Sequence, residues 1–155
     1  KRARPGTAPV LAPELKWTIR EALRLYPPIP RIRRFCRRPV QFEGKKIPAG
    51  AVVTVFPLYS HYSRATWDDP IKFDPARFGP IRREYVREGF AWIPFGGGDH
   101  HCLGSRRAEK YIALILEAVL SRYRLQNPIE YAMPVRYHPI GFPADRLLAD
   151  ILLEP

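Results

Sequence analysis

The ten residues from Phe95 to Gly104, "FGGGDHHCLG", decide how the rest of the chain is read. Three consecutive glycines, two histidines and a cysteine stand immediately before a long helical pattern. A cysteine so placed is a candidate metal ligand, nucleophile, disulfide half or core filler. The chain has only two cysteines, Cys36 and Cys102, and no C-x-x-C spacing. That argues against a zinc ribbon or a disulfide scaffold and for a reducing, cytoplasmic compartment. Cys36, inside "IRRFCRRP", reads as a small, half-buried residue. Zinc on "DHHC" is disfavoured, because neighbouring residues do not converge easily on one tetrahedral ion and no second ligand pair follows at zinc spacing. A nucleophilic Cys–His pair remains open, although no third orienting group is evident.

Outward from the loop, 155 residues suffice for one domain with its own core. No run of eighteen apolar residues is present, so nothing is long enough to span a bilayer. The first residue is Lys and the only methionine is Met133, so the chain is expected to be a piece of a longer protein. The net charge of +11 invites nucleic acid, anionic lipid or an acidic protein. The basic residues are scattered, as in "RIRRFCRR", "IRREYVRE" and "SRRAEK", with no zinc-finger, basic-zipper or RNA-binding signature. Nucleic acid is therefore not the expected partner.

"APELKWTIREALRLYPP" reads as a helix that carries Leu15, Ile19, Ala22 and Tyr26 along one side and stops at Pro27-Pro28. β-like runs follow in "RIRRFC", in "PVQF" with a turn at Glu43-Gly44, and in "AVVTVFPL". From Ser60 to Pro94 the chain shows no clean period and reads as an irregular packed segment with one short helix. After the glycine loop, a strong helix is expected from about Leu103 to Tyr123. Its expected core face is Ala108, Ile112, Ile115 and Val119, with Arg106, Lys110 and Glu117 opposite. The tail reads as short strands and turns.

Three motifs in order then narrow the choice: Glu21-x-x-Arg24, Phe73-Asp74-Pro75-Ala76-Arg77-Phe78 and Phe95-Gly96-x-Gly98-x-His100-x-Cys102-x-Gly104. Taken alone, Glu21 and Arg24 are an ordinary solvated i,i+3 pair worth a few tenths of a kcal/mol. Together the three resemble the haem-thiolate cytochrome P-450 family, over a stretch from Leu11 to Leu125. The second motif carries Ala76 where the family more often has Glu. The cysteine loop matches the family pattern F-G-x-G-x-[RH]-x-C-x-G at every fixed place.

The resemblance implies an α+β, mainly α fold. Residues 1–155 would form the C-terminal part of one domain, with 1–10 a flexible lead. It would hold the E-x-x-R helix, a small β region, the meander before the cysteine loop, that loop and a long proximal helix. It implies haem b (iron protoporphyrin IX), with Cys102 as the iron's axial ligand and Phe95 and Gly104 close to the cofactor. Arg34 and His100 would pair with haem propionates, as suits charge-assisted hydrogen bonding. Glycine lets a flat macrocycle approach the backbone, and a helix N-terminus offers N–H groups to a thiolate.

Glu21, Arg24 and Arg77 would form a structural ion-pair cluster rather than a catalytic one. Ile29 and Ile32 would lie along the haem edge near substrate, or serve only strand packing. Arg106, Arg107 and Lys110 would dock an acidic electron donor: a ferredoxin, flavodoxin or flavoprotein reductase. The implied activity is monooxygenation of a small apolar substrate with O₂. A truncated or degenerate non-catalytic haem binder, or a peroxide-using or isomerising relative, shares the same loop. The family's acid–alcohol pair lies on a helix upstream of E-x-x-R, and the twenty residues before Glu21 hold no such pair. The chain alone is therefore expected to be inactive, and to fold poorly where its apolar faces need absent helices.

Overall fold

The computed structural model describes residues 12–126, 135–137, 141–144 and 150–153; the expected lead at 1–10 and much of the tail lie outside them. Its first element, α1 (Pro13–Leu25), starts with proline, where a missing N–H costs nothing, and carries Glu14 in its first turn and Arg24 in its last. The Tyr26 N–H closes the last turn on the Ala22 carbonyl, and the prolines beyond end it. One stripe of α1 buries Ile19 and Leu23, with Leu15 beside them. Tyr26, expected on that stripe, is instead 48% exposed as the C-cap. The supposed outer side is buried too, through Glu21, Arg24 and Leu25, because a second layer of chain packs there.

Two antiparallel strand pairs follow. β1 (Ile32–Phe35) pairs with β4 (Val52–Val55), setting Ile32 opposite Val55 and Phe35 opposite Val52. Between them β2 (Val40–Phe42) and β3 (Lys45–Ile47) form a hairpin. Its turn holds Glu43 and Gly44 at φ 46° and 73°. The "AVVTVFPL" run ends earlier than expected, because Pro57 opens the short helix α2 (Pro57–His61). Proline donates nothing to a ladder but fits a helix's first turn, so composition favoured a strand where the backbone turns.

The segment after α2 runs irregularly through single 3₁₀ turns at Pro75–Phe78 and Glu84–Val86. Its order comes from aromatic packing. Trp67 and Phe78 lie 5.6 Å apart by ring centroid, and Tyr85 and Trp92 close on Phe78. The Trp67 indole N–H donates to the Ser60 carbonyl, which satisfies its one polar atom inside the core.

A 3₁₀ turn at Gly98–His100 leads into α3 (Ser105–Leu120). Its inner stripe matches the expected one in part: Ala108, Ile112 and Val119 are half-buried, but Ile115 is not on it. Ala113 is buried against Ile19 and Leu23, flanked by Ile112 and Leu116, while Ile115 is 63% exposed. α3 carries apolar residues on more than one side, so period alone cannot choose the face. Ala113, Ile112 and Leu116 are the residues that meet the α1 cluster. β5 (Tyr123–Gln126) then pairs antiparallel with β8 (Asp150–Leu153), and β6 (Val135–Tyr137) with β7 (Gly141–Pro143). Among the described residues the buried core has two parts, one from α1 and α3 and one from Trp67, Phe78 and Ala91 between α2 and the glycine loop; three α-helices and eight short strands make up the regular structure.

Candidate functional site

The glycine loop folds as it does because two of its residues have left-handed backbone, Gly96 at φ 75° and Gly98 at φ 63°. Gly97, in extended backbone, lies against the exposed Phe90 ring, which a Cβ there would meet at 2.8 Å and push aside. The loop is tied to itself. Gly96 N–H donates to Ile93 O (3.1 Å), His101 N–H to Gly98 O (3.0 Å) and Cys102 N–H to Phe95 O (3.0 Å). Ser105 N–H reaches the Cys102 carbonyl at 3.2 Å, which joins the loop to the first turn of α3.

These bonds leave the Cys102 thiol free and exposed. It opens onto a cleft of about 420 Å³ whose apolar wall includes Pro28, Ile29, Ile32, Pro94 and Phe95. Arg31, Arg33, Arg34 and His100 line the same cleft. So Cys102, Phe95, His100 and Arg34, expected together, come together, and Ile29 and Ile32 face them. Arg34 is exposed, and its guanidinium donates to the Arg33 carbonyl at 2.8 Å. Sequence reasoning had singled out one arginine where the cleft has three. Gly104 lies outside the lining; it caps α3 at φ −85°, where a Cβ would stand 3.8 Å from the Cys102 sulfur. Its backbone does not demand glycine, and its place is beside the sulfur rather than in the cleft. Phe95 meets Trp92 edge to face at 6.3 Å, which fixes the loop's entrance on the core.

This lining suits the group the motifs imply. A thiol on one side, apolar walls and a cationic rim match a flat apolar macrocycle that bears carboxylates and an iron able to take sulfur.

Behind the loop lies a buried charge network. Glu21, Arg24, Arg77 and Glu84 all have 0% exposure. Arg24 clasps Glu21 with Nε and Nη2 at 2.8 and 2.9 Å, and Arg77 Nε reaches Glu21 at 3.0 Å. The Arg77 Nη1 then donates to Glu84 at 2.7 Å. Two cations thus meet two carboxylates, and carbonyls of His61, Asp68 and Lys72 take guanidinium N–H groups. Trp67 stacks near both guanidinium groups, at 5.1 and 5.9 Å. Removing one member of such a network strands a charge, at about 3–5 kcal/mol. At its outer end Arg82 pairs with Asp74 and Glu84, and that pairing holds the Asp74 carboxyl below its ordinary range.

Glu84 and His61 were both missed from sequence. The His61 Nε2 accepts from the Ile93 N–H at 2.9 Å, so Nδ1 carries the proton and donates to the Arg24 carbonyl, also at 2.9 Å. Burial holds this imidazole at a pKa of about 4, against 6.5 for an ordinary histidine. His61 therefore joins α1 to the chain entering the cysteine loop. No local pattern marks it, since its partners lie 37 and 32 residues away.

Arg106, Arg107 and Lys110 stand exposed on the first turns of α3. Arg106 and Lys110 also line a groove between α1 and α3 with Lys16 and Arg20, which lengthens the basic face. Arg20 is held there by Glu109 at 3.5 Å and by the rings of Tyr85 and Trp92.

Comparison with known proteins agrees with this geometry. The family model "Cytochrome P450" matches residues 12–147. The chain is 33% identical over 120 residues to the taurochenodeoxycholic 6 alpha-hydroxylase of Sus scrofa, covering 76% of this chain and 23% of that protein. It is 34% identical over 142 residues to the putative cytochrome P450 136 of Mycobacterium tuberculosis, covering 91% and 28%. Among solved structures, the retinoic acid bound cyanobacterial CYP120A1 superposes with a TM-score of 0.84 at 29% identity, over 92% of this chain and 33% of that one. The heme domain of cytochrome P450DA gives 0.81 at 25% identity, over 91% and 31%. The chain thus spans about a quarter of the length of the curated relatives it matches.

Proposed function

The chain belongs to the cytochrome P450 family, and from that premise we propose that the whole protein is a haem-thiolate monooxygenase acting on a small apolar substrate. Residues 1–155 are the C-terminal, proximal part of its single domain, from the E-x-x-R helix through the meander and cysteine loop. The observation that carries the reading is the exposed Cys102 thiol on a cleft with apolar walls and an Arg34–His100 rim.

Cys102 would hold the iron of haem b through its sulfur, Phe95 would pack beside it, and Arg34 and His100 would hold the propionates by charge-assisted hydrogen bonds. Thiolate-ligated haem supplies the O₂ chemistry, its electron-rich sulfur favouring O–O cleavage. The chain's own part is to position and protect. Gly96 and Gly98 bend the loop so that the sulfur faces the cleft, and Gly104 keeps its flank bare. Ile29 and Ile32 present an apolar edge to the substrate. Glu21, Arg24, Arg77 and Glu84 hold the loop's foundation without touching a reacting atom. Arg106, Arg107 and Lys110, extended by Lys16 and Arg20, attract an acidic electron donor.

The experiment is turnover of the full-length protein with an electron donor, an apolar substrate and ¹⁸O₂. One labelled oxygen atom in the product supports monooxygenation. Label-free product, or product made only with peroxide, overturns it in favour of the isomerising or peroxide-using members.

A further inference from the structure

We propose that His101, the loop histidine outside the fixed family pattern, is a positioning residue that locks the cysteine loop on both sides of Cys102. The proposal rests on the haem-thiolate reading of that loop. The His101 ring lies between two parts of the chain that Cys102 must bridge. Its Nδ1 is 3.3 Å from the Gly96 carbonyl, at the loop's first bend, and its Nε2 is 3.0 Å from the Ser105 hydroxyl, in the first turn of α3. A carbonyl only accepts, so Nδ1 donates to Gly96, and Nε2 is left to bond the Ser105 hydroxyl.

Ser105 is itself buried, which makes α3 a fixed anchor. The Gly96 end needs one. With left-handed backbone at Gly96 and Gly98 and no side chain on three successive residues, this is the part of the loop with most conformations to lose. Backbone bonds tie Cys102 itself to Phe95 and to Ser105, but leave the Gly96 carbonyl to be held by a side chain. The imidazole adds a cross-brace between residues nine apart, with the sulfur-bearing residue inside the braced span. Its effect on the iron is through the placing of sulfur, without contact with the cofactor.

The test uses the full-length, haem-loaded protein. It measures ferric haem loss to excess apomyoglobin, with the ferrous–CO spectrum followed over the same hours. His101→Ala and Ser105→Ala should each lose haem about five- to tenfold faster, and their thiolate-type CO band should decay faster to match. Because both substitutions cut one brace, the double variant should be no faster than His101→Ala alone. His101→Gln, whose amide reaches toward Ser105, should recover part of the wild-type rate. Wild-type rates in both single variants, or fully additive effects in the double, overturn the proposal. A wild-type protein with no thiolate-type CO band contradicts the underlying haem-thiolate reading instead, whatever the variants do.

Discussion

Acidification from pH 7 to pH 4 should cost the fold about 3 kcal/mol through His61 alone. The imidazole titrates at about 4 in the fold, because burial disfavours its charged form, and at 6.5 when the chain is unfolded. Two and a half pKa units at ~1.36 kcal/mol each set the full loss, and about 3 kcal/mol of it has gone by pH 4, where the folded imidazole is half protonated. As pH falls below 6.5 the unfolded chain takes up the proton first, so stability is whole above 6.5 and drains away down to about 4. The window is diagnostic. The Asp74 and Asp68 carboxyls are held below their ordinary 3.8 by Arg82 and Arg87, so they act at lower pH. Urea unfolding of the full-length protein, read by tryptophan fluorescence at several pH values, measures the slope. His61→Gln keeps a polar group in place but has nothing to titrate, and its stability should vary little between pH 6.5 and 4. Parallel wild-type and variant curves across that window would refute the buried neutral histidine and its bond to Ile93.

Glu21→Gln should destabilise the protein by about 3–5 kcal/mol, since Arg24 and Arg77 would share one neutral amide in a fully buried site; urea midpoints check it. Gly96→Ala should cost about 1–2 kcal/mol from its left-handed backbone, and should speed haem loss, measured by transfer to apomyoglobin. Arg106→Glu with Lys110→Glu should slow reduction by an acidic donor at low salt, with the difference shrinking as salt rises and the CO spectrum unchanged; stopped-flow reduction measures this.

What the sequence disclosed was set by how local the signal is. The cysteine loop, α1 and α3 are legible because glycines, caps and helical spacing act within a few residues. Glu21 and Arg24 are visible as neighbours by spacing alone, whereas Arg77, 56 residues beyond Glu21, joins them in a buried cluster only through the family resemblance. Glu84 sits in the irregular segment, where no period marks a residue as inward. His61 works through a backbone carbonyl and a backbone amide far along the chain, which leave no trace in composition. On α3 the spacing placed Ile112 on the inner face but also Ile115, which is exposed, because apolar residues occur on more than one side of this helix.

The central claim is a sulfur–iron bond from Cys102, and the ferrous–CO spectrum of the full-length protein tests it most directly. Wild type should show the red-shifted Soret band of thiolate ligation, and Cys102→Ala should lose it while Cys36→Ala keeps it. A thiolate-type band persisting in Cys102→Ala would contradict the account.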